Sequence, residues 1–333
     1  MKENAYYYSK LLSQNEKLAY QAIYKSLVNN DKQCELPHID SQKVSIIFEN
    51  VISDHPELYY VQFNVSGSLQ RRGFNEIISL SFKYNYDRER HLIDKEIKKI
   101  IDYIEGICRG KDEIEKHIAI QDYLIENVNY EINNVLNQNA ASALYYHKAQ
   151  CSGIAAAYKL LADSLGLYCI IANSSAIEKG VMGPHSWNII KINNNYYHVD
   201  PTYLIGSNLE RKKPYFYKYA FCSDKSFIND HVLLPIFPKC NDDSLEKLNN
   251  KTEGKNLDII EINSLYELRN HLTEMIKKNE KSINIYFNID MNEKQFETNL
   301  VSSVKMVANN LRVNIKSVNY QKLGKEVKIT LDY

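Results

Sequence analysis

The sequence of 333 residues predicts an α+β fold, and three observations carry that prediction. An uninterrupted helical run follows Gln150-Cys-Ser-Gly153 and closes at Gly166, the usual place for a helix-ending glycine. Two strand-like stretches, His185–Ile192 and Asn195–Thr202, meet at Asn193-Asn194, a dipeptide suited to the positive dihedrals of a type I′ hairpin turn. Beyond Leu257 the apolar pattern alternates between periods of two and 3.6 in the order βαβαββ, which describes a small α+β sandwich.

The N-terminal elements follow from periodicity. Leu18, Ala22, Ile23 and Leu27 recur at helical spacing between Ser13 and Asn30, and a second amphipathic run covers Ser41–Ile52. Asp54-His-Pro-Glu57 breaks that pattern, and Leu58–Val65 and Glu76–Tyr84 alternate as a pair of strands. A long helical pattern then runs from Leu92 to about Val128 with a break near Gly110. The chain is too long for one typical core. The expected layout is an N-terminal helical region with a short β pair (1–114), a core (115–238), a polar linker (239–256) and a C-terminal α+β domain (257–333). In that last domain the strands are expected at Leu257–Ile262, Ser282–Ile289, Val313–Tyr320 and Glu326–Asp332, with helices at Leu265–Lys278 and Glu293–Asn309.

Composition excludes several classes of function. Lys plus Arg and Asp plus Glu are equal at 41 each, so no net field attracts nucleic acid or an anionic membrane. No segment approaches membrane-spanning length, and Met1–Lys10 lacks an apolar signal core, so the chain reads as cytoplasmic. The 26 Tyr are spread along the chain, mostly at apolar positions, which is the pattern of core packing. Six Cys with no close pair argue against both a disulfide framework and a common zinc pattern. No metal or other cofactor is expected, and the sequence sets no oligomeric state.

One constellation carries chemistry. Cys151 stands at a helix start, where unpaired N–H groups and the helix dipole favour a thiolate. A two-residue loop at Asn193-Asn194 pairs Ile192 with Asn195 and sets Trp187 opposite Asp200. One hairpin face then carries His185, Trp187, Ile189, Tyr196, His198 and Asp200. His185 is diagonal to Asp200, a gap of roughly 7–8 Å that two side chains bridge. Nucleophile, base and orienting carboxylate are thus Cys151, His185 and Asp200. Gln150, Trp187 and Tyr146 are the expected substrate or oxyanion residues, beside the Cys151 backbone N–H and with Tyr145 as a further candidate; Trp187 is read first as packing beside the hairpin and otherwise as a wall of the substrate cleft. His198 is read as a structural histidine, Cys169 as buried and unreactive, and Ser174–Pro184, with Gly180 and Gly183, as a mobile lid. His147 and His231 are set aside as metal ligands to Cys151 because their spacing fits no common zinc pattern.

Asp122-Tyr-Leu-Ile-Glu-Asn-Val-Asn-Tyr130, Gln150-Cys-Ser-Gly153, Leu165-Gly-Leu167, His185-Ser-Trp-Asn188 and Tyr196-Tyr-His-Val-Asp-Pro-Thr-Tyr203 resemble the transglutaminase-like superfamily, which shares the papain-like fold. Asp54-His-Pro-Glu-Leu-Tyr59, Phe221-Cys-Ser-Asp224 and His231 resemble the flanking regions of bacterial members. The resemblance implies a nucleophile-bearing helix packed on an antiparallel sheet and a triad of Cys151, His185 and Asp200. The animal crosslinking enzymes follow the Cys with Trp, whereas Ser152 stands here, and acidic calcium loops are not evident. The implied activity is therefore a cysteine-dependent amide hydrolase acting on a peptide or protein. The alternatives are a protein-glutamine acyltransferase with an amine acceptor, and a binding or scaffold protein that keeps the fold without the chemistry.

Overall fold

The computed structural model describes residues 6–37, 39–72, 75–86, 88–132, 138–178, 181–205, 219–246, 260–287, 289, 291–323 and 326–333. The chain divides into two compact units, Met1–Asp243 and Ser244–Tyr333.

The first unit opens with helices α1 (Tyr7–Leu11) and α2 (Gln14–Val28). Ser13 and Glu16 form a capping box that satisfies the N-terminal N–H groups of α2. Strand β1 (Gln33–Leu36) and helix α3 (Val44–Asp54) follow, and then β2 (Ser66–Arg72) and β3 (Asn75–Ser81) complete an antiparallel sheet of order β1-β3-β2. The buried Asp54 carboxylate ends α3 and gathers the N-terminus onto it. It accepts the Tyr8 and Ser9 backbone N–H groups at 3.1 and 3.0 Å and the Tyr20 hydroxyl at 2.9 Å.

Helices α4 (Arg90–Ile107) and α5 (Glu113–Asn127) come next, separated by a turn in which Gly110 takes φ 78°. Strand β4 (Asn129–Tyr130), helix α6 (Ala140–Leu144) and strand β5 (Lys148–Ala149) lead into α7 (Cys151–Ser164). Gly166, at φ 71°, provides the left-handed turn after α7. Strands β6 (Tyr168–Glu178), β7 (Val181–Ile192) and β8 (Asn195–Val199) form an antiparallel sheet in sequence order, followed by the short helices α8 (Thr202–Ile205) and α9 (Asp224–Phe227). The small residues Ala155, Ala156 and Ala157 are buried, and they let α7 lie close on β6 and β7. Asn188 fastens the contact: from a fully buried position its Nδ2 donates to the Ala155 carbonyl at 3.0 Å.

The second unit contains β9 (Ile260–Ile262), α10 (Leu265–Lys277), β10 (Ser282–Phe287), α11 (Glu293–Leu311), β11 (Ser317–Leu323) and β12 (Glu326–Asp332). Its sheet runs β11-β12-β10-β9, with β9 parallel to β10 and the other pairs antiparallel. Ile283, Ile285, Val327, Ile329 and Leu331 alternate along two strands and share one buried core with Leu268 and Leu300 of the helices.

Four expectations need correction. Leu58–Val65 is no strand: Pro56–Leu58 is a 3-10 turn, and Leu58, Tyr59, Tyr60 and Val61 are all buried in succession, so no face alternates. Strand β11 begins at Ser317 instead of Val313, because α11 runs on to Leu311 and is capped by Arg312 in the left-handed region. Residues 239–243 do not behave as linker. Cys240 is fully buried and its N–H donates to Asp224 Oδ1 at 3.1 Å, while Asp242 accepts from Asn195 and Tyr197 at 2.6 Å each. Residues 247–256 of that expected linker lie outside the described residues. Finally, Ser174–Pro184 is no open lid: Ser174 to Glu178 pair in register with His185 to Val181, and 179–180 lie outside the described residues.

Candidate active site

The N-terminus of α7 places Cys151. Gln150 is the N-cap residue in extended geometry, and its carbonyl accepts the first helical bond from Ile154 N–H at 3.0 Å. Cys151 is thus the first helical residue, with its own N–H among those that no helical carbonyl can reach. It is also the one cysteine of six that is not buried. Burial raises the thiol pKa of Cys34, Cys108, Cys169 and Cys240, which keeps those four protonated and unreactive.

The hairpin places the other two groups. Asn193 and Asn194 take φ 48° and 71°, and the ladder pairs Ile192 with Asn195 and Asn188 with Val199, the register that the turn dipeptide dictates. Continued by one step, it sets Trp187 opposite Asp200 and lets His185 reach diagonally, with Nε2 at 2.6 Å from Asp200 Oδ2. Asp200 is fully buried and its Oδ1 accepts the Thr202 N–H at 2.9 Å. Burial works against ionisation of Asp200, but the charge and hydrogen bonds of His185 and His231 overcome it and hold the carboxyl well below its ordinary range. Burial likewise works against a charged His185. The Asp200 carboxylate, with a smaller contribution from Cys151 acting on the same ring, overcomes it and raises His185 to about 10. Since Nε2 is engaged by Asp200, Nδ1 is the ring atom left for the sulfur.

The other expected site residues make the following contacts. Trp187 is fully buried, so it cannot wall a substrate cleft. Its ring lies stacked 6.1 Å from His185 and its indole N–H donates to His198 Nδ1 at 3.0 Å. The Gln150 side chain is turned to the Ile132 carbonyl, to which Nε2 donates at 2.7 Å. The Tyr146 hydroxyl donates to Glu89 at 2.7 Å, and its ring meets Tyr145 edge-on at 4.8 Å. His198 is a structural histidine, as expected: it is buried and its Nε2 lies 2.9 Å from Asp224 Oδ1.

A further residue joins the row. His231 Nε2 lies 3.2 Å from the same Asp200 Oδ2 that His185 uses, and its Nδ1 lies 2.6 Å from Asp230 Oδ1. Sequence reasoning placed His231 in a flanking region and gave it no role, because no period or turn connects it with the hairpin. The fold brings it there by edge pairing. Ala176 bridges His231, Ile177 N–H donates to the Asp230 carbonyl at 2.7 Å, and Val232 N–H donates to the Ser175 carbonyl at 2.8 Å, so residues 230–232 line the free edge of β6. On the other side, His198 and Cys222 exchange both backbone bonds at 2.9 Å along the free edge of β8.

Two groups among the described residues have ligand atoms close enough to share an ion: His185, Asp200 and His231, and also His198, Asp224 and Cys240. The second set fits a metal poorly. The indole of Trp187 can only donate, so His198 Nδ1 accepts and Nε2 carries the proton that Asp224 receives, which leaves that ring no lone pair to offer.

Residues 101–201 match the model of the transglutaminase-like superfamily, so the resemblance read from the motifs holds over that stretch, which contains Cys151, His185 and Asp200. No curated protein matches the chain. Similar solved structures include a TGase at 17% identity, with 54% of this chain and 53% of that one covered and a TM-score of 0.31. A candidate cysteine protease from Cytophaga hutchinsonii aligns at 14% identity over 42% of this chain and 62% of that one, with a TM-score of 0.29. The periplasmic domain of TgpA from Pseudomonas aeruginosa aligns at 12% identity over 39% and 56%, with a TM-score of 0.27. The chain therefore spans from 53% to 62% of the length of these structures. Among the described residues no helix is long and apolar enough to cross a membrane.

Proposed function

We propose that the chain is a cysteine-dependent amide hydrolase acting on peptides or proteins, with Cys151 as nucleophile, His185 as base and acid, and Asp200 as the group that orients the imidazole. The observation that carries this reading is the bond from His185 Nε2 to Asp200 Oδ2 at 2.6 Å, made by a ring whose proton affinity is raised in part by Cys151, the one cysteine left accessible.

In the reaction His185 already holds the proton of the pair it forms with Cys151, and the sulfur attacks the amide carbonyl as a thiolate. The imidazolium returns that proton to the departing amine as the C–N bond breaks, leaving a thioester on Cys151. Water, deprotonated by the same ring, then opens the thioester and frees the acid. Acid–base assistance of this kind is worth about 10²–10⁴-fold. The Cys151 backbone N–H, facing out of the helix start, is the natural first donor to the oxyanion, and loss of one such donor costs about 10²–10³-fold. Ser152 stands where the crosslinking enzymes carry Trp, and this departure from them supports hydrolysis over amine transfer.

Iodoacetamide at neutral pH is expected to label Cys151 ahead of the other five thiols, and a peptide library is expected to be cleaved by the protein and left intact by Cys151→Ala. Uniform labelling of all six thiols removes the catalytic reading. Incorporation of a labelled primary amine into a glutamine-bearing protein without any cleavage replaces hydrolysis with acyl transfer.

A further inference from the structure

His231 faces a carboxylate on each side of its ring, with Nδ1 at 2.6 Å from Asp230 Oδ1 and Nε2 at 3.2 Å from Asp200 Oδ2. A neutral imidazole has one N–H and one lone pair, so in that form one side of the ring would set a lone pair against an oxygen. His198 provides the contrast within the same cluster: one neighbour, the Trp187 indole, donates and the other, Asp224, accepts, and a neutral ring satisfies both. Asp200 has no proton to lend to His231. Its Oδ1 takes the Thr202 N–H at 2.9 Å and its Oδ2 already takes His185 at 2.6 Å. On Asp230 the second oxygen, Oδ2, accepts the Tyr219 hydroxyl at 2.6 Å.

We propose that His231 is a positioning residue, a buried imidazolium clamped between Asp200 and Asp230 that holds the Asp200 carboxylate in place for His185 and limits the basicity of that ring. The protonation state stands on the geometry alone; its catalytic consequence rests on the function proposed above. His231 is 2% exposed, its ring stacks on Phe227 with centroids 3.7 Å apart, and its backbone is fixed to the edge of β6, so the ring is positioned as well as charged. Burial works against the charge, but the bonds to the two carboxylates outweigh it and raise the His231 pKa. The titratable groups facing the ring are Asp200, Asp230, His185, the phenols of Tyr203 and Tyr219, and His198 on the far side of Phe227. The ring centroids of His185 and His231 are 5.3 Å apart, so a positive His231 opposes a positive His185 while both share one carboxylate oxygen. The clamp therefore keeps the general acid from holding its proton too firmly.

The test is nitrogen NMR of the full-length protein labelled with ¹⁵N-histidine, with His231→Gln used to assign the His231 resonances. Both His231 ring nitrogens are expected to carry protons at pH 7, and Asp230→Asn is expected to reduce the ring to one. In His231→Gln the His185 titration is expected to move up by about one pH unit, from loss of a like charge at this distance. A merely structural His231 would lower cleavage at every pH and leave the His185 midpoint where it is. A singly protonated His231 at pH 7 in the unaltered protein overturns the proposal, and so does an unmoved His185 midpoint. Should His231→Gln fail to fold, the His185 midpoint in Asp230→Asn supplies the same reading, since the clamp loses its charge there too. A protein with a doubly protonated His231 that cleaves no peptide overturns the hydrolase reading and leaves this one standing.

Discussion

At the scale of single residues, the pair His185 and Asp200 couples the site to stability. The folded state raises His185 from 6.5 to about 10, so it binds this proton more tightly than the unfolded chain does. The resulting stabilisation is fully present below pH 6.5 and is lost as pH rises toward about 10. Asp200 has the opposite sign. Its carboxyl is held below the ordinary range in the fold, so its contribution is present above that range and is lost as the solution is acidified. Thermal melts of the protein and of His185→Gln are expected to differ most below pH 6.5 and to converge toward pH 10. A difference independent of pH would show that His185 keeps an ordinary affinity for its proton in the fold. The three residues of the proposed triad were legible because each sits beside a local signal: a helix start, a turn dipeptide, and a strand end before Pro201. His231 had no such signal. Its place depends on which segment lines the edge of β6, and single-sequence patterns do not report edge pairing.

At the scale of elements, the hairpin is the part whose geometry the sequence specifies most completely. Both Asn193 and Asn194 occupy the left-handed region, which costs a β-branched residue roughly 1–2 kcal/mol. Asn194→Val is therefore expected to lower unfolding free energy by about that amount in a denaturant titration, with a fall in cleavage as the register of His185 and Asp200 loosens. No loss of stability would mean that the turn does not set the register. The joint between helix and sheet rests on Asn188, which donates to the Ala155 carbonyl at 3.0 Å from a fully buried position. Asn188→Ala leaves buried acceptors unmet, and a cost of about 1–3 kcal/mol is expected in the same titration. Sequence patterns misplaced elements where burial replaced alternation. Leu58 to Val61 are buried consecutively, so strand-like composition there encodes an irregular aromatic plug. Ser174–Pro184 looked like a loop because it is polar and holds Gly180 and Gly183, yet its described part is paired across the β6–β7 ladder, with Ser175 to Ile177 paired on their other edge as well, and pairing of backbone leaves little trace in side-chain polarity.

At the scale of the whole molecule, the division at Asp243 places every member of the candidate row, from Cys151 to His231, in the first unit. The expected boundary near residue 114 has no counterpart there. The Tyr8 hydroxyl donates to the Ile171 carbonyl at 2.6 Å and Asn173 donates to Ser53 at 3.1 Å, so the N-terminal helices and the sheet that bears His185 are bonded into one body. Truncation from the N-terminus removes buried hydrogen-bond partners of that sheet, whereas the described partners of the row, Thr202, Tyr219 and Asp230, all lie before Asp243. A chain ending at Asp243 is therefore expected to keep the rate at which Cys151 is labelled by iodoacetamide. The complementary segment, Ser244–Tyr333, has its own core of Ile262, Leu272, Ile285, Phe296 and Ile329, and is expected to unfold cooperatively in isolation. A marked drop in labelling of the shortened chain would assign the second unit a part in shaping the site; an unchanged rate assigns it a task separate from the reactivity of Cys151.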